Sequence, residues 1–362
     1  MSGAPEEEIR MEYKIISDEN SLIAERENWN SICASIPDAT PFQTWEWSYY
    51  WWKSNEPAES LFVIKAFEGK QIYGYAPLVV KNGTAEFIGG RDMDYGRFVV
   101  VHREIAVIEG FIDLLLEKGC GLALQEMPSK NTQLHIAQKL LEDRKRYLLH
   151  KTTRTAYVNL TQYDGLDAYM KLLSQSMRNK TIKVGLKKNL SIQKEAVTDG
   201  LLEEIKAIYE NRQDVRGGAG DITWAFPVIQ NLYREKLLEV YIARNEQEAV
   251  GFLVAMQHRN KQYIWLVAFK MEYKDSFPGQ MLFYNVLKDG FESGNDQVDF
   301  MRGDYDFKMR WECKLDTNYT VYLCRSSWSY WKKKIWFTIR PLAKKVLYSS
   351  PVLVRMCKNL GR

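Results

Sequence analysis

The chain has 362 residues, 46% of them hydrophobic and 27% charged, enough for two domains with sizeable cores. Its five cysteines include no CxxC pair, its four histidines show no metal-ligand spacing, and no secretion signal opens it. A disulfide framework and a metal site are therefore not expected, and a cytoplasmic setting is. The net charge of +4 hides an asymmetry: ten of the 50 Lys and Arg lie in residues 317–362, which hold no Asp or Glu. A mildly acidic body thus carries a strongly basic tail.

In chain order, residues 1–9, with Glu6, Glu7 and Glu8 in a row, read as a disordered lead-in. A strand at 12–16 and a helix at 21–34 around Leu22, Trp29 and Ile32 follow. Pro41, Phe42, Gln43 and Thr44 lead into an aromatic-rich helix, 45–52, whose rings are mostly core. Strands are expected at 61–66, 71–80 and 85–88, joined by glycine-containing turns. The loop 89–96, GGRDMDYG, carries Asp92, Asp94 and Tyr95 away from a strand end. Its acids are either solvated charges or ligand contacts, which collect on such loops. After 98–101 come a helix at 104–118, a strand at 121–126, a helix at 131–142 and a strand at 154–160.

A helix beginning at 165 continues through 174–194, a stretch with six basic residues and no acid: Arg178, Lys180, Lys183, Lys187, Lys188 and Lys194. This is either a solvated helix face or a basic groove for a phosphorylated or nucleotide-linked ligand. No recognisable RNA-binding motif accompanies it. Helices at 199–210 and 226–236 flank a glycine-rich loop, 216–220, and Arg212 and Arg216 either bind an anion there or face water.

Residues 248–311 organise the rest. Strands at 250–257 and 262–268 are followed by a loop ending in Pro278-Gly279, a helix from Gln280 to Ser293, a short buried strand at 298–301 and a polar loop to Trp311. A strand, a turn and a helix start form an anion site, because the first N–H groups of the helix point outward and its dipole favours negative charge. Pro278 stiffens the entry and Gly279 lets backbone approach a phosphate. The pattern of strands, helix and strand in the first half echoes this one, implying two copies of one unit, the first degenerate. Asp299, at a strand end, is expected half-buried with a raised pKa, as a base requires. Asp304 and Tyr305 lie beyond Gly303, and Lys308 either neutralises developing charge or pairs with Asp299 or Asp304 to fix the loop. With no Ser–His–Asp or Cys–His spacing, direct attack by an acceptor is the simpler route.

In the tail, Trp328, Trp331, Ile335, Trp336 and Ile339 recur on one face of a helix with Lys332, Lys333, Lys334 and Arg340 around them. Residues 328–362 suit peripheral contact with an anionic membrane surface, or docking on the body or on a partner.

The succession VGF, SFPGQML and VDFMRGDYDFKMRW, with PFQTWEW and IYGYAPLVV upstream, resembles the GNAT acetyltransferase superfamily. Within it the chain looks like the branch with the CelD/BcsL-type acetyltransferases of exopolysaccharide synthesis, related to the FemAB peptidyltransferases. The resemblance covers residues 40–322. It implies an α+β fold of tandem GNAT-like (FemAB-like) mixed sheets flanked by helices, with a basic amphipathic C-terminal helix. The implied domains are 10–160, 161–325 and a tail, 326–362. It further implies an acyl donor, acetyl-CoA or another acyl-CoA, with its pyrophosphate on Phe277, Gly279, Gln280 and Met281 and its carbonyl by the strand at Val267. Asp299, Asp304, Tyr305 and Lys308 become the catalytic candidates, Gly303, Phe307, Lys308 and Trp311 matching a family signature. The acceptor, an amino-sugar or polysaccharide precursor, falls to Phe42, Gln43, Trp47, Asp94, Tyr95, Arg178, Lys183, Arg212 and Trp311. SFPGQM has one glycine where such enzymes carry Q/R-x-x-G-x-G/A. FemAB relatives use aminoacyl-tRNA, so that donor, and a non-catalytic module of a synthase complex, stay open beside acyl-CoA.

Overall fold

The computed structural model describes residues 11–188, 190–216 and 221–349. The expected lead-in, residues 217–220 of the glycine-rich loop and the tail beyond 349 lie outside the described residues. Strand β1 (Glu12–Ile16) precedes helices α1 (Glu19–Ala24) and α2 (Arg26–Ser35), where the pattern predicts one helix. The break falls at Glu25, whose carboxylate is drawn to Lys65 at 2.8 Å and to the Tyr75 hydroxyl at 2.6 Å. Thr44 caps α3 (Trp45–Asn55), accepting from the Trp47 N–H, and the helix buries Trp45, Trp47, Trp51 and Trp52.

Strands β2 (Val63–Glu68), β3 (Gln71–Ala76), β4 (Leu78–Lys81) and β5 (Thr84–Phe87) follow. The expected single strand 71–80 is split at Pro77, which has no N–H to give to a ladder. Then come β6 (Val99–Val100), α4 (Glu104–Glu117), β7 (Gly121–Pro128), α5 (Thr132–Leu141) and β8 (Tyr147–Asn159).

The expected long basic helix is not continuous. Helix α6 (Leu166–Leu172) stops, a π-helical turn (Met177–Ile182) runs into α7 (Lys183–Lys187), and Ser191–Lys194 forms strand β9. Pairing of β9 with residues 241–244 overrides its helical spacing. The remaining elements are α8 (Asp199–Arg216), α9 (Phe226–Arg234), β10 (Leu238–Asn245), β11 (Glu248–His258), β12 (Lys261–Phe269), α10 (Pro278–Glu292), β13 (Gln297–Arg302), α11 (Asp306–Met309), β14 (Lys314–Leu323) and α12 (Ser327–Ser349). The sequence pattern does not announce β10 or β14.

Two compact units result. Among the described residues, those up to Thr152 and those from Asn318 form the first, and Thr153–Thr317 the second. Residues 318–325 thus join the first unit instead of closing the second, because β14 pairs with β7 there, Tyr322 opposite Ala123.

The first unit holds an antiparallel sheet, β1-β2-β3-β6, and the strands β4-β5-β7 with β14 from Asn318 onward. The second holds β8 from Thr153 onward with β13-β12-β11-β10-β9, β11 being buried from Ala249 to Met256, as a central strand covered on both faces is. One pattern recurs. In the first unit β5 and β7 pair in parallel over three residues, Thr84–Glu86 with 121–123, flanked by antiparallel β4 and β14. In the second, β12 and β13 pair in parallel over three residues, flanked by antiparallel β11 and β8. The chain is a tandem repeat of one α+β arrangement.

Candidate functional site

The site follows from the way β12 leaves β13. Their parallel pairing runs only from Lys261–Gln297 to Tyr263–Asp299, whereas β12 stays paired with β11 as far as Phe269–Gly251. Trp265 is the extra residue of a bulge against β11, which bends β12 at the point of divergence. Among the described residues, 264–269 therefore carry one backbone edge with no neighbouring strand. A carbonyl laid in such a V meets backbone donors without displacing a ladder. Within this segment the Val267 carbonyl accepts from Arg212 Nη1 of α8 at 2.5 Å.

Across the V, β13 ends in a bulge. Its register against β8 skips Phe300, and Met301 sits at φ 62°, a strained position for a side-chain-bearing residue. Two charged side chains satisfy the polar groups this irregularity leaves. Asp299 Oδ1 accepts from the Met301 N–H at 2.7 Å and Oδ2 from Gln297 at 3.1 Å. Lys308 Nζ donates to the carbonyls of Phe300, Met301 and Arg302 at 2.5, 3.1 and 2.5 Å. Both are buried, Asp299 2% and Lys308 6% exposed, so the half-buried base expected at Asp299 is instead fully enclosed. Asp304 and Tyr305 project from the same loop into the open: Tyr305 is 61% exposed, and Asp304 pairs with Arg154 at 3.3 Å. Gly303, at φ 100°, makes the turn, and a Cβ there would strike the Tyr305 ring.

The α10 start is a thinner anion cradle than its spacing predicts. Phe277, the left-handed N-cap at φ 54°, gives its N–H to Lys274, and Pro278 has none. Met281 makes the first intrahelical bond back to Phe277 at 2.9 Å, leaving the N–H groups of Gly279 and Gln280. A Cβ at Gly279 would meet the Phe269 ring at 3.0 Å, so a larger residue there needs that ring to give by a few tenths of an ångström. Gln280 Oε1 accepts the Trp311 indole N–H at 2.8 Å. Trp311 is wholly buried against Phe283 and Phe300, and the Tyr169 hydroxyl donates to its carbonyl. Met281 is buried too, its sulfur filling the space a Gly185 Cβ would need.

That packing brings the basic segment onto the α10 start. Arg178 is half-buried, and Lys180, Lys183, Lys187 and Lys188 are exposed. None of the five has a side-chain hydrogen bond or ion pair among the described residues. Lys194 differs, bonding Glu239 and Asp289 at 2.9 and 3.3 Å. Arg310 reaches back to the segment through Thr181 Oγ1 at 2.7 Å. Burial pushes the Cys313 thiol up to about 12, so this core offers no thiolate nucleophile.

The first-unit candidates build an internal strut. Gln43 Oε1 accepts from the Thr40 N–H at 2.9 Å and its amide donates to the Tyr95 carbonyl at 2.6 Å. Phe42 and Trp47, both buried, meet edge to face at 4.7 Å. The Asn318 amide donates to the Asp94 carbonyl, and Asp94 is buried. The loop thus held lies along β7, where the Gly96 N–H donates to the Glu126 carbonyl at 2.9 Å and a Cβ would collide with the Gln125 carbonyl oxygen. Beyond its pairing with β5, β7 is thus lined by the chain's own loop. Nothing in the local sequence signals Phe269, Gly185, Tyr169 or Arg154 as supporting residues, because their roles arise from contacts distant in the chain.

Among the described residues no group of three or more His, Cys, Asp or Glu side chains is placed to hold a metal ion, and no helix is long and apolar enough to cross a membrane. Residues 173–309 match the family model described as an acetyltransferase (GNAT) domain, a match that supports acyltransferase activity. No curated protein matches the chain. Among solved structures, the crystal structure of FemX is similar at a TM-score of 0.64 and 14% identity, over 87% of this chain and 98% of that one. The C-terminal DUF2156 domain of a putative lysylphosphatidylglycerol synthetase from Agrobacterium fabrum gives 0.56 at 12% identity, over 84% and 92%. A tandem GNAT protein from the clavulanic acid biosynthesis pathway gives 0.50 at 12%, over 86% and 98%. The fold is like that of these tandem, FemAB-like proteins, and residues 173–309 carry the match to the GNAT acetyltransferase domain.

Proposed function

We propose that the second unit transfers an aminoacyl group from tRNA directly to an amine or hydroxyl of a cell-envelope sugar precursor in the cytoplasm. The observation that carries this reading is the uncompensated cationic run Arg178, Lys180, Lys183, Lys187 and Lys188 against the first turn of α10. A polyanion bound through side chains suits it better than one pyrophosphate does, since only the Gly279 and Gln280 N–H groups remain at that helix start. The FemAB relatives that the sequence resembles use that donor, and the fold is like that of FemX. The donor carbonyl lies along residues 264–269, with Arg212 holding Val267 in place. The acceptor approaches the loop bearing Asp304 and Tyr305, the two catalytic candidates exposed enough to meet it. The ester C–O bond breaks as the acceptor's N–C or O–C bond forms. The acceptor's proton leaves through Asp304 or water, and the tRNA ribose hydroxyl is the leaving group. Asp299 and Lys308 hold the loop in shape.

Acyl-CoA is the second reading, favoured by the two remaining N–H groups and by the acetyltransferase domain match. Filter binding of aminoacyl-tRNA over a salt series, beside calorimetric titration with acetyl-CoA, separates them. The expected result is tRNA binding that weakens steeply with salt. The slope should be shallower in Lys183→Ala/Lys187→Ala, by roughly one unit on a log–log plot for each phosphate no longer neutralised. Binding of acetyl-CoA without tRNA would hand the donor site to the thioester, and binding of neither would leave only a non-catalytic role.

A further inference from the structure

Helix α12 presents a surface the transfer reaction does not use. It rests on the first unit through Phe337, whose ring stacks on His150 at 3.8 Å and lies 5.6 Å from Tyr322, and through Lys333, 4.6 Å from the Tyr322 ring. At about 100° per residue, Tyr330, Lys333 and Phe337 share that docked side, while Trp328, Trp331, Ile335 and Ile339 point the opposite way with Trp336 at the flank. The outward set is open to solvent: Trp328 is 78% exposed, Trp331 and Ile335 52%, Ile339 53% and Trp336 57%. Five large apolar side chains on one face of one helix form a patch of the kind that marks an interaction surface.

We propose that this face docks on an anionic lipid surface. Charge selects the occupant. Residues 317–362 contain ten Lys and Arg and no acid. Lys332 is exposed between Ile339 and Trp336 on that face, and Lys334 is exposed beside it, its ammonium 5.1 Å from the Trp331 ring at the edge of the patch. Two copies of this helix placed face to face would oppose like charges. A bilayer of acidic headgroups neutralises them and takes indole rings at the level where they are favoured. The helix lies on such a surface and does not span it, since no described helix is apolar enough to do so. The inference is independent of the donor and the acceptor.

The test is sedimentation of the full chain with vesicles of phosphatidylcholine alone and of phosphatidylcholine with an equal part of phosphatidylglycerol. Binding is expected on the acidic vesicles only, with a shift of tryptophan emission to shorter wavelength. Trp331→Ser/Trp336→Ser and Lys332→Glu/Lys334→Glu should each lower the partition coefficient by roughly tenfold or more. The four positions are exposed or half-exposed at the surface, so circular dichroism and the melting curve should match the parent chain. Binding to neither vesicle, or equal binding to both, would overturn the proposal. So would a parent chain that dimerises in solution and becomes monomeric in Trp331→Ser/Trp336→Ser, since the face would then belong to a protein interface.

Discussion

Replacing Lys308 by methionine tests whether this residue does chemistry or holds a loop. The substitution keeps the length and most of the volume of a side chain that is 6% exposed, and removes the ammonium that binds the carbonyls of Phe300, Met301 and Arg302. A hydrogen bond to a charged group contributes about 1.5–3 kcal/mol, and a buried acceptor left without a partner costs about 1–3 kcal/mol. Three carbonyls within one short loop share this loss and relax together, so the total is roughly 3–5 kcal/mol, the range for removing one partner of a buried charged cluster. That is a large fraction of a domain's stability of about 5–15 kcal/mol. It corresponds to a fall in melting temperature of roughly 6–20 °C. Urea unfolding followed by circular dichroism measures it, with transfer assayed well below the new midpoint. The loop reading expects a strongly lowered midpoint, and activity that falls because Asp304 and Tyr305 are no longer held. An unchanged midpoint with transfer abolished would refute it and return Lys308 to the chemistry.

Further outcomes follow from the same geometry. Gly279→Ala places a Cβ 3.0 Å from the Phe269 ring, so it should destabilise by about 1 kcal/mol after the gain in helix propensity, and Phe269→Leu should relieve that cost in a double-mutant cycle. Burial, with Arg259 and Lys261 nearby, lowers the His258 pKa to about 4. Between the unfolded value of about 6.5 and that figure the unfolded chain binds the extra proton, so stability is full above pH about 6.5 and declines as pH falls towards 4, by at most about 3 kcal/mol. His258→Gln should flatten urea midpoints across that window, and an unchanged slope would exclude His258 as the source. Arg212→Met removes the guanidinium from the Val267 carbonyl, and should lower kcat by roughly tenfold or more with a smaller effect on donor binding, since it loosens the segment beside the reacting carbonyl. Equal losses in kcat/KM and donor affinity would make Arg212 a donor-binding group instead.

The periodicity of residues 248–301 was enough to place β11, β12, α10 and β13, because alternating and helical apolar spacings are local and strong there. The tandem arrangement was legible too, as an echo of strands, helix and strand in the first half. Local pattern failed where pairing decided the state: β9 reads as helix until β10 claims it, and β14 joins β7 from nearly two hundred residues away. Candidate chemistry divided in the same manner. Sequence could nominate Asp299, Lys308, Gln280 and Trp311 as polar or aromatic groups near a strand end and a helix start. Only the folded chain assigned Asp299 and Lys308 to the bulge of β13, Gln280 to the Trp311 indole, and the Gly279 space to Phe269. Composition alone fixed the basic tail and the basic run at 178–194, since charge depends on no neighbour. Which of those charges would be neutralised was decided by the tertiary structure, because an ion pair such as Lys194 with Glu239 and Asp289 requires neighbours that only the sheet brings within reach.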